Sequence, residues 1–251
     1  MKMKTKVLAL IPARLNSKRL PKKVILTIEN MPIVIHVYRR ALMSKKISDI
    51  IICCDDKKIY NLAKKFGAKA MLTSKLHKNG TERICEAYKK INKKYDLVVD
   101  IQGDEPLIDP KHIDKVIDFH IKNKSTDIIV PNLMVKNEIN KNIVKIVFNS
   151  KNEVLYMSRS QIPFGQNNKQ KFVNKHLSIV SFKSIALLNY AKFKRTKLEK
   201  IENIELLRAL ELGMKIKTFN LRGESFSVDV ASDYKKAKYY MKKDKSFKIY
   251  S

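Results

Sequence analysis

Val7, Leu8, Ala9, Leu10 and Ile11 are apolar without a break, and the run stops at Pro12. A strand with apolar side chains on both faces must be covered on both, the situation of a parallel strand between two helix layers. The next hundred residues repeat the theme. Ile33 to Met43 has apolar residues at helical spacing behind Pro32, a good first-turn residue, and Asp49 to Cys53 reads as a second strand. Lys57 to Phe66 reads as a helix stopped by Gly67, Thr81 to Ile91 as another helix, and residues 95–102 (YDLVVDIQ) as a third strand. Pro110 to Lys122 predicts a helix and Asp127 to Leu133 a strand. Strands alternating with helices imply parallel pairing.

Beyond residue 140 the pattern changes. Residues 142–160 (NIVKIVFNSKNEVLYMSRS) predict two strands around an Asn-Ser-Lys-Asn turn, which brings an antiparallel piece into the sheet. His176 to Phe182 predicts a strand, residues 201–213 (IENIELLRALELG) one amphipathic helix ended by Gly213, and residues 215–220 a short strand. Ser232 is the expected cap of the last helix, and Met241 to Ser251 reads as a tail. There is no internal repeat and no Gly/Pro/Ser-rich boundary. The expectation is one α/β domain over residues 1–251, with an antiparallel lobe inserted at about 143–185.

Composition narrows the class. With 44% hydrophobic residues the chain can bury a full core, and no stretch approaches the roughly 20 apolar residues of a membrane span. Pro12 and Arg14 stand where a signal peptide would continue, so the expected compartment is the cytoplasm, with no membrane partner. Cys53, Cys54 and Cys85 match no zinc spacing and read as reduced bystanders. The formal charge is +29, from 53 Lys and Arg against 24 Asp and Glu, and a basic surface attracts nucleic acid. The lysines are nevertheless spread along the whole chain, without a block that alternates with base-stacking aromatics, so no nucleic-acid partner is expected. A nucleic-acid-binding protein is the competing class, and it requires a clustered basic face.

In an open α/β sheet the loop after the first strand is a favoured phosphate site. Here that loop is Arg14 to Lys23. It has neither the P-loop nor the dinucleotide glycine pattern; it presents Arg14, Arg19 and Lys23 instead, cations that suit a triphosphate. Solvated loop cations are the competing reading. A second stretch, residues 100–109 (DIQGDEPLID), ends an apolar strand in Gly103 and Asp104 at the same sheet edge. A carboxylate beside a triphosphate calls for an intervening cation, and Mg²⁺ binds through one or two carboxylates plus substrate phosphates. Asp229 is the candidate second carboxylate; an Asp in a turn before a helix is the alternative.

Seven stretches occur in the order and at the spacings of one family: IPARLNSKRLPKK (11–23), HKNGTER (77–83), VDIQGDEPLI (99–108), LYMSRSQIP (155–163), KHLSIVSF (175–182), LEKIENIELLRALELG (198–213) and SVDVASD (227–233). From about residue 7 to 240 the chain resembles the 3-deoxy-manno-octulosonate cytidylyltransferases (CMP-Kdo synthetases). The resemblance implies a nucleotide-diphospho-sugar transferase fold, a Rossmann-like mixed sheet. It also implies CTP and Mg²⁺, and the reaction CTP + Kdo → CMP-Kdo + pyrophosphate for lipopolysaccharide or capsule synthesis, by a homodimer. By motif position Arg14, Arg19 and Lys23 would hold the CTP phosphates, with Pro12, Ala13 and Ser17 against the nucleotide. Asp104 and Asp229 would hold the metal; Gln102, Arg159, His176 and Glu205 would face the sugar acid; and Arg83 with the Gly80-Thr81 turn would line the floor. Without the family pattern, His176 reads as a structural hydrogen-bonder and Glu205 as a solvated helix residue.

The chain departs from the family at the sugar end. Val180 stands where the family commonly has Tyr, Leu206 where it has Gln, and Asp100 where it has a neutral residue; Asp100 is left out of the metal set. Lys22 replaces a usual Gly and Asn79 a usual Ser. These departures leave open a related acceptor, an 8-amino-Kdo or a sialic-type acid.

Overall fold

Val7–Ala13 (β1) is buried at every position, as its unbroken apolar run requires. It pairs in parallel with Asp49–Cys54 (β4) and, on its other side, with Leu97–Ile101 (β6). The computed structural model describes residues 5–17, 19–137, 140, 142–166 and 170–251. Between β1 and β4 lie the small hairpin Thr27–Ile28 (β2) and Met31–Pro32 (β3), then helix Ile33–Leu42 (α1). Lys57–Lys65 (α2), Ala70–Leu72 (β5) and Gly80–Lys90 (α3) lead back to β6. Pro110–Lys122 (α4) then crosses to Ile128–Lys136 (β7).

The second half supplies Lys145–Phe148 (β8), Val154–Ser158 (β9), Phe172–His176 (β10) and Ile179–Lys183 (β11). Ser184–Tyr190 (α5), Lys197–Glu202 (α6), Leu206–Glu211 (α7), Ile216–Leu221 (β12), Ala231–Lys243 (α8) and Phe247–Tyr250 (α9) complete the chain. One sheet runs β5-β4-β1-β6-β11-β7-β10-β8-β9, with β12 along the other side of β7. The α1 and α4 side of the sheet packs Ile11, Val37, Val99 and Ile117; the α3, α5 and α7 side packs Leu10, Ile84, Phe182 and Leu207. The expected mixed α/β sheet is therefore present, and the antiparallel lobe is an extension of it rather than a separate layer. Among the described residues no helix is long and apolar enough to cross a membrane.

Four local expectations need correction. The stretch 176–182 is not one strand: β10 follows the far half of β7 (His176 opposite Asn132), β11 the near half, and the chain breaks between them at Leu177 and Ser178. β11 thereby leaves the lobe and lies antiparallel between β6 and β7. The stretch 201–213 is not one helix, because Asn203 takes a left-handed conformation (φ 53°) that separates α6 from α7. Tertiary partners hold that break: Glu202 accepts from the Ser158 hydroxyl at 2.5 Å and from the Arg159 N–H at 3.0 Å. Ser232 lies inside α8; Asp233 instead accepts the N–H groups of Asp229 and Val230, each at 3.1 Å. The supposed tail is docked, with Tyr250 Oη 3.0 Å from His36 Nδ1 and Asp244 paired with Arg40 at 2.5 Å. The cysteines are free and buried, and burial raises each thiol pKa, so they stay unreactive.

Candidate active site

Because β1 and β6 are parallel neighbours with Leu10 opposite Asp100, their carboxyl ends bring Pro12 and Ala13 beside Gln102 and Asp104. Gly103 is required there: a Cβ on it would lie 2.8 Å from the Pro12 carbonyl. Gly80 at the start of α3 is also close, since a Cβ would sit 3.1 Å from Gln102 Nε2. These approaches form the floor of a cleft of about 390 Å³, within the usual range for ligand sites.

The cleft wall holds Pro12, Ala13, Arg14, Arg19, Lys23, Gly80, Arg83, Gln102, Asp104, Arg159, His176, Glu205 and Asp229; Ser17 is half-buried outside it, and Thr81 is buried behind Gly80. At one end, the chain turns through Lys22 in a left-handed conformation (φ 56°) into a short 3₁₀ turn that delivers Lys23. The Lys23 ammonium bonds the carboxylates of both Asp104 and Asp229, the latter at 2.9 Å. Burial alone would lower the Lys23 pKa, but the two carboxylates outweigh it and the ammonium is held charged. Burial likewise opposes ionisation of Asp229, and Lys23 and Arg19 overcome it, so its pKa falls. Arg19 reaches Asp229 at 2.8 Å and Asn142 at 2.6 Å. Arg14 is exposed at the mouth.

Two carboxylates thus converge on one cation. Among the described residues no group of three or more His, Cys, Asp or Glu is arranged to hold a metal. The protein can therefore offer a divalent ion two ligands at this point and must leave the rest to a substrate, a donor set that fits Mg²⁺ on a nucleotide.

At the other end stand Gln102, Arg159, His176 and Glu205. Glu205 begins α7, not the middle of a long helix, and accepts the Thr81 N–H at 3.0 Å, tying α7 to α3. Burial raises its pKa. Burial and the charges of Lys175 and Arg159 lower His176 to about 4, so its imidazole is neutral at pH 7. Burial and the nearby Arg19 charge lower the Arg159 pKa. Arg83 is among the residues of the cleft floor. Its guanidinium donates to Thr73 Oγ1 (2.7 Å), the Ser74 carbonyl (3.2 Å) and Asp55 (3.2 Å), which fix it in place. Val180 and Leu206 both reach the wall of this end.

Several wall residues are not legible in the sequence. Asn142, Lys175 and Arg195 come from separate segments, and only the β7–β10 crossing and the α6 turn bring them together. Glu105, buried and accepting from Ser225 Oγ at 3.0 Å, stands in the same QGDEP stretch as Asp104 and could have been found there.

Residues 8–216 match the family model described as cytidylyltransferase. The chain belongs to the cytidylyltransferase family. A 3-deoxy-manno-octulosonate cytidylyltransferase of Thermodesulfovibrio yellowstonii is 39% identical to it over 90% of this chain and 94% of that protein. An 8-amino-3,8-dideoxy-manno-octulosonate cytidylyltransferase of Shewanella baltica is 37% identical over 92% of this chain and 96% of that protein. Among solved structures, CMP:2-keto-3-deoxy-manno-octonic acid synthetase complexed with CTP superposes with a TM-score of 0.88 at 29% identity, covering 95% of this chain and 99% of that one. The fold expected from the sequence is therefore the fold of a nucleotidyltransferase.

Proposed function

We propose that the chain transfers the cytidylyl group of CTP to 3-deoxy-manno-octulosonate, releasing pyrophosphate, and so activates a sugar acid for lipopolysaccharide or capsule synthesis. The observation that carries this reading is the convergence of Lys23, Asp104 and Asp229, beside Arg14 and Arg19, in one cleft with Gln102, Arg159, His176 and Glu205.

In this reading Arg14 and Arg19 grip the outer phosphates by forked hydrogen bonds. Pro12 and Ala13 lie against the nucleoside, and Gly80 lets it approach the start of α3. Asp104 and Asp229 would hold Mg²⁺, which supplies neutralising charge to the phosphates. Lys23 then turns from the carboxylates to the α-phosphate and meets the charge that builds there. Arg159 attracts the sugar carboxylate, while neutral His176 and Glu205 orient the anomeric hydroxyl. That hydroxyl attacks the α-phosphorus in line and releases its proton to solvent, the bond to the bridging oxygen breaks, and pyrophosphate leaves toward Arg14 and Arg19. Positioning and charge neutralisation provide the rate, with no covalent intermediate on the protein.

Exposed Met134, Leu155 and Phe172 on the lobe support pairing with a second copy of the chain, which we read as a cytoplasmic homodimer. The test is pyrophosphate release by purified protein given CTP, Mg²⁺ and a panel of 2-keto sugar acids. Release with Kdo is expected; release with none of the acids would sink the reading.

A further inference from the structure

Lys145 opens β8, opposite Lys175 of β10 on one side and Ser158 of β9 on the other, with 1% of its surface exposed. Among the described residues its ammonium forms no ion pair and donates to two main-chain carbonyls, Arg159 at 2.7 Å and Asn140 at 3.0 Å. Burial and the nearby Arg159 charge lower its pKa, and Glu202 offsets them in part. A buried cation without a contacting carboxylate is costly, and an apolar side chain of the same length would fill the space without that cost. What the ammonium adds is its two bonds.

The shorter of them goes to Arg159, whose guanidinium the proposed reaction assigns to the sugar carboxylate. The peptide groups of Arg159 are held from both sides by opposite charges. Its carbonyl accepts from Lys145, and its N–H donates to a Glu202 carboxylate oxygen at 3.0 Å. Charge-assisted bonds are about twice as strong as neutral ones, and here each charge meets the pole of the peptide that attracts it. The side chain then rests on two more carbonyls, Nε on Glu202 at 3.3 Å and Nη1 on Asn142 at 3.4 Å.

The second bond of Lys145 secures that last support. Asn140, its other acceptor, takes the Asn142 N–H on Oδ1 at 2.8 Å, so one ammonium fixes both the residue that carries the guanidinium and the turn against which it lies. Glu202 acts from the α6 side, with its other oxygen accepting the Ser158 hydroxyl at 2.5 Å. Arg159 and Asn142 line the cleft, whereas Lys145 and Glu202 stand behind them. A long side chain ordered before its ligand arrives loses less freedom on binding.

We propose that Lys145 and Glu202 are a pair of positioning residues for the acceptor, holding the Arg159 backbone between a cation and an anion so that its guanidinium is set in the cleft before the sugar acid binds. The proposal rests on the cytidylyl-transfer reading and adds the residues that aim its acceptor cation.

The experiment measures pyrophosphate release with Kdo, CTP and Mg²⁺. Lys145→Met should raise KM for Kdo at least tenfold, while kcat and KM for CTP stay within threefold. Glu202→Ala should do the same, and Glu202→Gln, which keeps an oxygen for the Arg159 N–H, should regain most of the loss. In an Arg159→Gln background either substitution should change kcat/KM for Kdo less than twofold, because the group they aim is gone. An unchanged KM for Kdo, an equal rise in KM for CTP, or a full tenfold effect persisting without the Arg159 guanidinium overturns the proposal. Thermal melting checks each fold; if Lys145→Met does not fold, the Glu202 pair decides by the same criteria. Transfer to Kdo by the unaltered protein together with an overturning outcome leaves cytidylyl transfer standing, whereas transfer to no 2-keto sugar acid removes both readings.

Discussion

The two ends of the cleft solve opposite electrostatic problems. At one end Arg19 and Lys23 are matched by Asp229 and Asp104, so charges of both signs sit together; the carboxylates keep Lys23 charged against burial, and the cations lower the Asp229 pKa. At the other end burial raises the Asp100 and Glu205 pKa values, with Arg208 only partly offsetting it at Glu205, and His176 is held neutral. In the proposed reaction the first end would exchange one cation for another around a polyphosphate. The contrast teaches that buried carboxylates of one cleft diverge with their direct partners: Asp229, bonded by Lys23 and Arg19, has its pKa lowered, whereas Asp100, bonded by the neutral Gln102 amide, has its pKa raised.

The sharpest way to break the contrast is at the metal pair. Asp104→Asn should lower turnover by at least about a thousandfold with the fold intact, because a neutral amide is a poor Mg²⁺ ligand. Thermal melting checks the fold, and retained Mg²⁺-dependent activity would remove Asp104 from the nucleotide end. Asp229→Asn should behave alike.

Lys23→Ala comes next. It should reduce kcat by about a hundredfold while KM for CTP moves little, since its charge is used mainly in the transition state. A change confined to KM would reassign Lys23 to ground-state binding. Arg19→Ala should weaken CTP binding and spare CMP, which titration calorimetry can compare directly.

The neutral state of His176 separates the ends by pH. Its folded pKa is depressed to about 4, against about 6.5 in the unfolded chain, so the unfolded state binds the proton first. The stability it contributes is complete above pH 6.5 and is lost as pH falls toward 4. His120 adds a similar effect: burial lowers it to about 4, where Nε2 donates to the Thr126 carbonyl (3.2 Å) and Nδ1 accepts from the Ser181 hydroxyl (2.7 Å). Melting temperature should fall between pH 6.5 and 4, with a shallower slope in His120→Gln, while KM for the acceptor stays flat from pH 8 to 5. A step in that KM near pH 6.5, absent from His176→Gln, would show a charged imidazole.

A smaller effect is expected from restoring the family's polar residues. Val180→Tyr with Leu206→Gln supplies two hydrogen-bonding groups, each worth about 0.5–1.5 kcal/mol, so KM for Kdo should fall several-fold with KM for CTP unchanged. Unchanged values for every sugar would place both residues outside the acceptor's reach. Smallest of all, Lys22→Gly should raise stability by about 0.5 kcal/mol by relieving the left-handed backbone at φ 56°. Denaturant unfolding measures it.

Much of this molecule is readable in its amino-acid order. Residues 7–11 determined a doubly covered strand because no polar face was left, and the QGDEP stretch determined that a carboxylate would end the neighbouring strand. Adjacent parallel strands open their loops on the same edge, so the meeting of Lys23 with Asp104 followed from local pattern alone. Only tertiary structure decided the acceptor end, whose residues come from β6, the β10–β11 break and the α6–α7 turn. Helical periodicity across residues 201–213 is real, but Asn203 breaks it where Glu202 is held by Ser158 and Arg159, and Glu205 by Thr81. The last residues likewise read as a tail until Arg40 and His36, more than two hundred positions away, supply partners for Asp244 and Tyr250. Local pattern reports which face of a segment must be buried; it does not report which distant polar group will be there to receive a hydrogen bond, and in this chain that second fact shapes the acceptor site.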